Sequence, residues 1–175
     1  MLGTKTIKYK GNQNYVPADI IPCAVFKSTV IGQQGTAIYD NGKVLYNYPK
    51  QHIENGESKS ARTEGNYKKT VRMFKNARNE AVRLGWLRSE QAGSYFIESL
   101  VNNVPDKRFS GNESEVFYAV FKWLYDKRGF FSEDMRCQNG IHKLFGYSEG
   151  NICYYRKWNI SFTYKVMVST KLSCI

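Results

Sequence analysis

Along residues 66–88, NYKKTVRMFKNARNEAVRLGWLR, the apolar positions Val71, Phe74, Ala77 (or Arg78), Ala81 and Val82 recur at three- and four-residue steps. That spacing marks one face of an α-helix and makes this the longest periodic segment of the chain. Upstream the period shortens to two. Residues 5–10 alternate enough for a strand, and Gly11-Asn12-Gln13-Asn14 reads as a turn. Tyr15–Lys27, YVPADIIPCAVFK, is a second extended segment, because Pro17 and Pro22 forbid a helix interior and place it at a sheet edge or on bulges. Thr36–Tyr39 and Val44–Tyr48 flank Asn41-Gly42, a strong short hairpin signal. Residues 49–65, PKQHIENGESKSARTEG, show no apolar period and read as a polar loop.

Downstream the pattern is helical again. Ile97, Leu100, Val101 and Val104 form a stripe within Tyr95–Val104, with Pro105 as the stop. Asn112 with Glu115 three residues on predicts a capping box for a helix over Ser114–Arg128, whose Val116, Phe117, Val120, Phe121 and Leu124 face a core before Gly129 ends it. A short helix is expected over Ile141–Phe145, and Ile160–Leu172 reads as a last helix or a strand. Strands first and helices second give the class α+β. The expected organisation is a partial sheet over residues 1–65 and a helical domain over 66–175.

Composition makes this a folded chain, since 42% of its 175 residues are hydrophobic and 15% aromatic. The formal net charge of +11 points to an anionic partner, and it is uneven. Residues 1–90 carry 15 cations against 7 acids, residues 91–175 carry 11 against 8. On the 66–88 segment Lys68, Arg72, Lys75 and Asn79 share a face at helical spacing, and Glu80 is the one acid, so no ladder of opposite charges explains the pattern. A face this basic meets a polyanion or plain water. Cys23, Cys137, Cys153 and Cys174 are scattered without a CxxC pair, and His52 and His142 lie at no ligand spacing to them. Structural zinc and a disulfide framework are thereby disfavoured. With no apolar run long enough to span a membrane, the expected setting is cytoplasmic.

Asp19, flanked by Ala18 and Ile20-Ile21-Pro22, is a carboxylate on an extended segment and a candidate metal ligand, although taken alone it reads more readily as a surface acid beside a proline turn. His52 reads as a solvated loop histidine for want of a carboxylate partner, and Glu98 as a capping or salt-bridging residue. Trp86, Trp123 and Trp158 read as core or interface anchors. Tyr154-Tyr155-Arg156-Lys157-Trp158 suits a single-strand binding surface or a packed turn equally.

The order of these pieces is specific where each alone is not. Ala18-Asp19-Ile20-Ile21-Pro22, the Asn41-Gly42 hairpin, Tyr48-Pro49-Lys50-Gln51-His52, Tyr67-Lys68-Lys69-Thr70-Val71-Arg72, Ser94-Tyr95-Phe96-Ile97-Glu98 and Asn103-Val104-Pro105-Asp106 follow one another. Over residues 5–150 this resembles the second half of bacterial nucleotidyltransferases of the DNA polymerase β superfamily, the group that includes cGAS/DncV-like and oligoadenylate-synthetase-like enzymes. The resemblance implies transfer of a nucleoside monophosphate from a nucleoside triphosphate to a hydroxyl, with Mg2+, in bacterial antiphage defence. It makes Asp19 the third metal-binding, catalytic carboxylate. It gives Lys68, Arg72 and Lys75 to the triphosphate and sets Ser94 and Tyr95 near the nucleotide.

One departure stands out. The family's Gly-Ser turn and paired-carboxylate strand belong upstream of Asp19, where this sequence has neither a Gly-Ser nor another acid. The expectation is therefore a truncated or split nucleotidyltransferase, inactive alone and completed by an N-terminal chain or by homo-oligomerisation. The alternative is a non-catalytic module that binds nucleotide or nucleic acid through the basic helix, and a third reading is a scaffold whose basic face only keeps it soluble.

Overall fold

The computed structural model describes residues 7–29, 31–40, 42–88, 92–127 and 135–145. The readings for Gly129, residues 154–158 and Ile160–Leu172 lie outside them. Among the described residues five strands precede four α-helices, which is the α+β order expected. β1 (Ile7–Tyr9) pairs antiparallel with β2 (Ala18–Ile20), and β3 (Ala24–Lys27), β4 (Gln34–Asp40) and β5 (Lys43–Asn47) form a separate antiparallel sheet in that order. The segment with two prolines is thus divided. Pro17 and Pro22 lie just outside β2 and β3, and β3 is a sheet edge, so neither proline removes a ladder hydrogen bond. The hairpin closes on the Asp40↔Lys43 pair, with Gly42 at φ +79°, a conformation that glycine adopts without a Cβ clash.

Residues 49–62 are not a loop. They form α1 (Pro49–Arg62), with Pro49 in its first turn, where a missing N–H costs nothing. The apolar period is missing because the inward face of α1 is polar. His52, Asn55, Gly56, Lys59 and, just past the end, Thr63 follow helical spacing and meet polar partners rather than a greasy core. Thr63 and Gly65 turn the chain into α2 (Asn66–Arg83): the Tyr67 amide donates to Thr63 Oγ1 at 3.1 Å and Gly65 takes φ +81°.

In α2 the apolar stripe is buried as its spacing required, through Val71, Phe74, Ala77 and Ala81. The helix stops at Arg83, five residues short of Arg88. Gly85 at φ +71° lets the Trp86 amide reach back to the Ala81 carbonyl at 2.9 Å, a glycine stop. α3 (Ser94–Asn102) and α4 (Glu113–Lys127) pack against α2, with a 3₁₀ turn, Asp106–Phe109, between them. The capping box forms as expected. Asn112 Oδ1 accepts from the Ser114 and Glu115 amides, both at 3.1 Å, and Glu115 Oε2 accepts from the Asn112 amide at 3.0 Å. Val116, Val120, Phe121 and Leu124 are buried, and Phe117 packs against them part-buried.

Ile141–Phe145 is not a helix. The segment turns tightly, with Arg136 bridged to Lys143. Asn139 Oδ1 takes the Ile141 and His142 amides at 2.9 and 3.1 Å, the local side-chain capture that competes with helix formation.

Among the described residues the core runs from Tyr67 to Phe145 and includes no strand residue. Of the 14 exposed large hydrophobic residues described, 11 lie between Ile7 and Tyr46, so the strands keep apolar side chains in solvent while the helices enclose a core of their own. No helix among the described residues is long and apolar enough to cross a membrane.

Candidate functional site

The helices enclose a cleft of about 330 Å³. His52, Ile53, Gly56 and Glu57 of α1 form one wall, Tyr67, Lys68, Val71, Arg72 and Lys75 of α2 the other, and Glu98 of α3 with Gln138 lines the remainder. The three cations read from the sequence therefore share one cleft, because positions 68, 72 and 75 fall at i, i+4 and i+7 of a straight helix. Of the other sequence candidates, Ser94 is exposed at the start of α3 and Tyr95 stacks on His52, ring centroids 4.4 Å apart and planes 19° apart. Neither is among the residues lining the cleft.

His52 is not a solvated loop residue. Its Nε2 lies 2.8 Å from Glu98 Oε2, and its side chain is largely buried. Glu98 is the salt-bridging residue anticipated, since its Oε1 holds Lys75 Nζ at 2.5 Å. The hydrogen bond from His52, and then the one from Lys75, keep the Glu98 carboxyl below its usual range despite partial burial. Lys68 Nζ is 3.0 Å from Glu57 Oε1, a pair open to solvent.

Gln138 holds this corner together. Its Nε2 donates to the His52 carbonyl at 2.7 Å, its Oε1 accepts from the Tyr67 hydroxyl, and its carbonyl accepts from Asn55 Nδ2 at 2.8 Å. Burial, followed by the Glu98 charge, pushes the Tyr67 phenol up, so it stays protonated and donating. The side-chain amide lies so close to α1 that a Cβ on Gly56 would collide with it, which is why a helix interior carries glycine there. Lys59, itself buried, reaches the Val104 carbonyl at 2.7 Å and Asp106 Oδ1 at 2.8 Å.

The sequence reading missed the contributions of His52, Glu57, Tyr67 and Gln138. The available signal was the polar helical spacing 52, 55–56, 59, 63 after a Tyr-Pro start, which an apolar criterion does not register.

Asp19 sits apart. It is exposed on β2, opposite Lys8 of β1. Among the described residues no three His, Cys, Asp or Glu side chains gather to hold a metal ion. Magnesium in phosphoryl transfer needs several oxygen ligands, so the described residues do not by themselves make its site.

Antiparallel strands thus lead into a helical bundle whose cleft is lined by three cations, an α+β arrangement suited to an anion. Residues 54–166 match the model of the cGAS/DncV-like nucleotidyltransferase C-terminal helical domain, and the chain belongs to that family. It is 39% identical over 153 residues to the cyclic UMP-AMP synthase of Rhodothermus marinus, an alignment spanning 82% of this chain and 51% of that protein. With the cyclic nucleotide synthase CdnE01 of Staphylococcus haemolyticus it shares 34% identity over 170 residues, 90% of this chain and 54% of that one. Its structure superposes on the CdnE cyclic dinucleotide synthase of Elizabethkingia meningoseptica, solved with GTP and Apcpp, with a TM-score of 0.80 at 26% identity, covering 99% of this chain and 64% of the other. The chain thus spans about half the length of the curated relatives it matches.

Proposed function

We propose that this chain provides the C-terminal portion of a cyclic-nucleotide-forming nucleotidyltransferase and that the cleft between α1, α2 and α3 receives the polyphosphate of a nucleoside triphosphate. The observation that carries this reading is the convergence of Lys68, Arg72 and Lys75 on one cleft. Fixed cations that bind a triphosphate also offset the charge that accumulates as a hydroxyl oxygen attacks the α-phosphorus and pyrophosphate departs. Relatives that are cyclic nucleotide synthases, and a structural neighbour solved with GTP and Apcpp, support the assignment.

In this reading Ser94 and Tyr95 lie at the nucleotide's edge, the tyrosine ring presenting a flat surface to a base. Asp19 serves as one metal ligand only alongside carboxylates that the residues before it do not supply. The exposed apolar strand residues are the face that the remainder of the fold covers, or that a second chain covers.

The test has two parts. A fluorescent ATP analogue titrated into the chain is expected to bind, and Arg72→Ala is expected to weaken it. Turnover of NTP is expected only when a segment carrying the Gly-Ser and paired-carboxylate motif is added, and is expected to vanish with Asp19→Ala. Binding that ignores Arg72 and instead rises with nucleic-acid length and falls steeply with salt would replace this reading with the nucleic-acid-binding alternative.

A further inference from the structure

Two of the three cations on the cleft are already neutralised from within. Lys68 meets Glu57 at 3.0 Å and Lys75 meets Glu98 at 2.5 Å, whereas Arg72 makes no ion pair among the described residues. The two pairs differ in kind. Lys68 and Glu57 are both well exposed, so an incoming anion displaces that contact at little cost. Lys75 and Glu98 are each about one-quarter exposed, and Glu98 is anchored a second time by His52 at 2.8 Å, itself stacked on Tyr95. Glu98 therefore does not swing away when a ligand arrives.

A carboxylate fixed in an anion site is costly for a bare anion and useful for a ligand that brings it a donor. Each Glu98 oxygen uses one acceptor position, Oε2 for His52 and Oε1 for Lys75, so capacity remains toward the cleft that Glu98 lines. The neighbouring polar groups are committed: the one Tyr67 hydroxyl proton is shared between Gln138 Oε1 and the Glu98 carbonyl, and the Gln138 amide is taken by His52 and Tyr67. Glu57, the other carboxylate on the cleft, is exposed and held only by Lys68, so Glu98 is the fixed acceptor with spare capacity beside Lys75 and Arg72. Vicinal hydroxyls a short distance from a phosphate chain are the donors that suit a carboxylate in that position.

We infer that Glu98 is a specificity-determining residue, setting the cleft against bare polyphosphate and in favour of a phosphate ester whose ribose hydroxyls donate to its carboxylate. This rests on the triphosphate reading of the cleft and adds to it the part of the ligand that is recognised.

The experiment measures binding of ATP, 2′,3′-dideoxy-ATP and inorganic tripolyphosphate to the 175-residue chain in EDTA by calorimetry, for wild type, Glu98→Gln and Arg72→Ala. A hydrogen bond to a charged acceptor predicts that wild type holds ATP roughly tenfold more tightly than either of the other two. Glu98→Gln is expected to tighten tripolyphosphate and to bring ATP and dideoxy-ATP within about twofold of each other, because a neutral acceptor discriminates less. Equal binding of ATP and dideoxy-ATP by wild type overturns the inference without requiring any variant to fold. A Glu98→Gln change that moves all three ligands by the same factor overturns it too, leaving Glu98 a purely structural residue. If Arg72→Ala leaves ATP binding untouched, the triphosphate reading itself fails, and the inference falls with it; loss of ATP binding in Arg72→Ala with no ribose discrimination sinks the inference alone.

Discussion

Lys59 offers the sharpest test of how the cleft is built. It is 5% exposed, and its ammonium donates to the Val104 carbonyl and to Asp106 while lying 5.8 and 5.2 Å from the Tyr67 and Phe109 ring centroids. Lys59→Met keeps most of the aliphatic stem and removes the charge and donors. Val104 is fully buried, so its carbonyl is orphaned at a cost of about 1–3 kcal/mol. Asp106 adds little, since it is 36% exposed and keeps Arg62 at 2.6 Å. The expected loss for Met is therefore about 2 kcal/mol. Lys59→Ala also loses buried methylenes at ~0.8 kcal/mol each, which brings its loss to about 4 kcal/mol. Urea unfolding followed by far-ultraviolet circular dichroism reads both; with a slope of ~1–3 kcal/mol/M, the Met variant should shift the midpoint by roughly 1 M. A Met variant within about 0.5 kcal/mol of wild type, the range of ordinary surface substitutions, would refute the claim that Lys59 ties α1 to the helical bundle.

Gly56→Ala should gain up to about 1 kcal/mol of helix propensity yet destabilise the protein by about 1–3 kcal/mol net, because the new methyl strikes a Gln138 side-chain amide that two hydrogen bonds hold in place. Thermal melts of Gly56→Ala, Gln138→Ala and the double variant check this, the expected signature being a double variant less destabilised than the sum of the singles. Stability should also fall in two acid steps. Burial lowers the His142 pKa from 6.5, so its contribution is complete above pH 6.5 and is lost as pH drops below that through the folded value. Glu98, lowered from 4.5, follows with a contribution present above pH 4.5 and lost below it; His142→Gln should remove the upper step and Glu98→Gln should flatten the lower one in melts taken across pH. The exposed side chains Val25 and Tyr39, 67% and 68% accessible, predict concentration-dependent self-association of the isolated chain that a Val25→Lys, Tyr39→Lys variant relieves, read by light scattering.

The elements that the sequence made legible are those written in a local pattern: an apolar helical stripe, a capping pair or a turn dipeptide. The α2 stripe, the α4 capping box and the Asn41-Gly42 hairpin are local patterns, and each appears where its spacing placed it. The misreadings share a cause. α1 faces inward with His52, Asn55, Gly56 and Lys59, and polar residues at helical spacing look like a loop until their partners, 45 or more residues away, are known. Ile141–Phe145 looked helical because its apolar residues were read without Asn139, whose side chain takes the amides that a helix needs.

The same division runs through the site. That Lys68, Arg72 and Lys75 share a face follows from a helix of 3.6 residues per turn, so the chain alone determined it. Which of them is free to meet an anion was decided by the tertiary structure. Glu98 comes from another helix to hold Lys75, His52 comes from a third to hold Glu98, and Arg72 is left without an ion pair among the described residues. Charge along a sequence counts cations; whether a cation is available depends on counter-ions that folding brings from far along the chain.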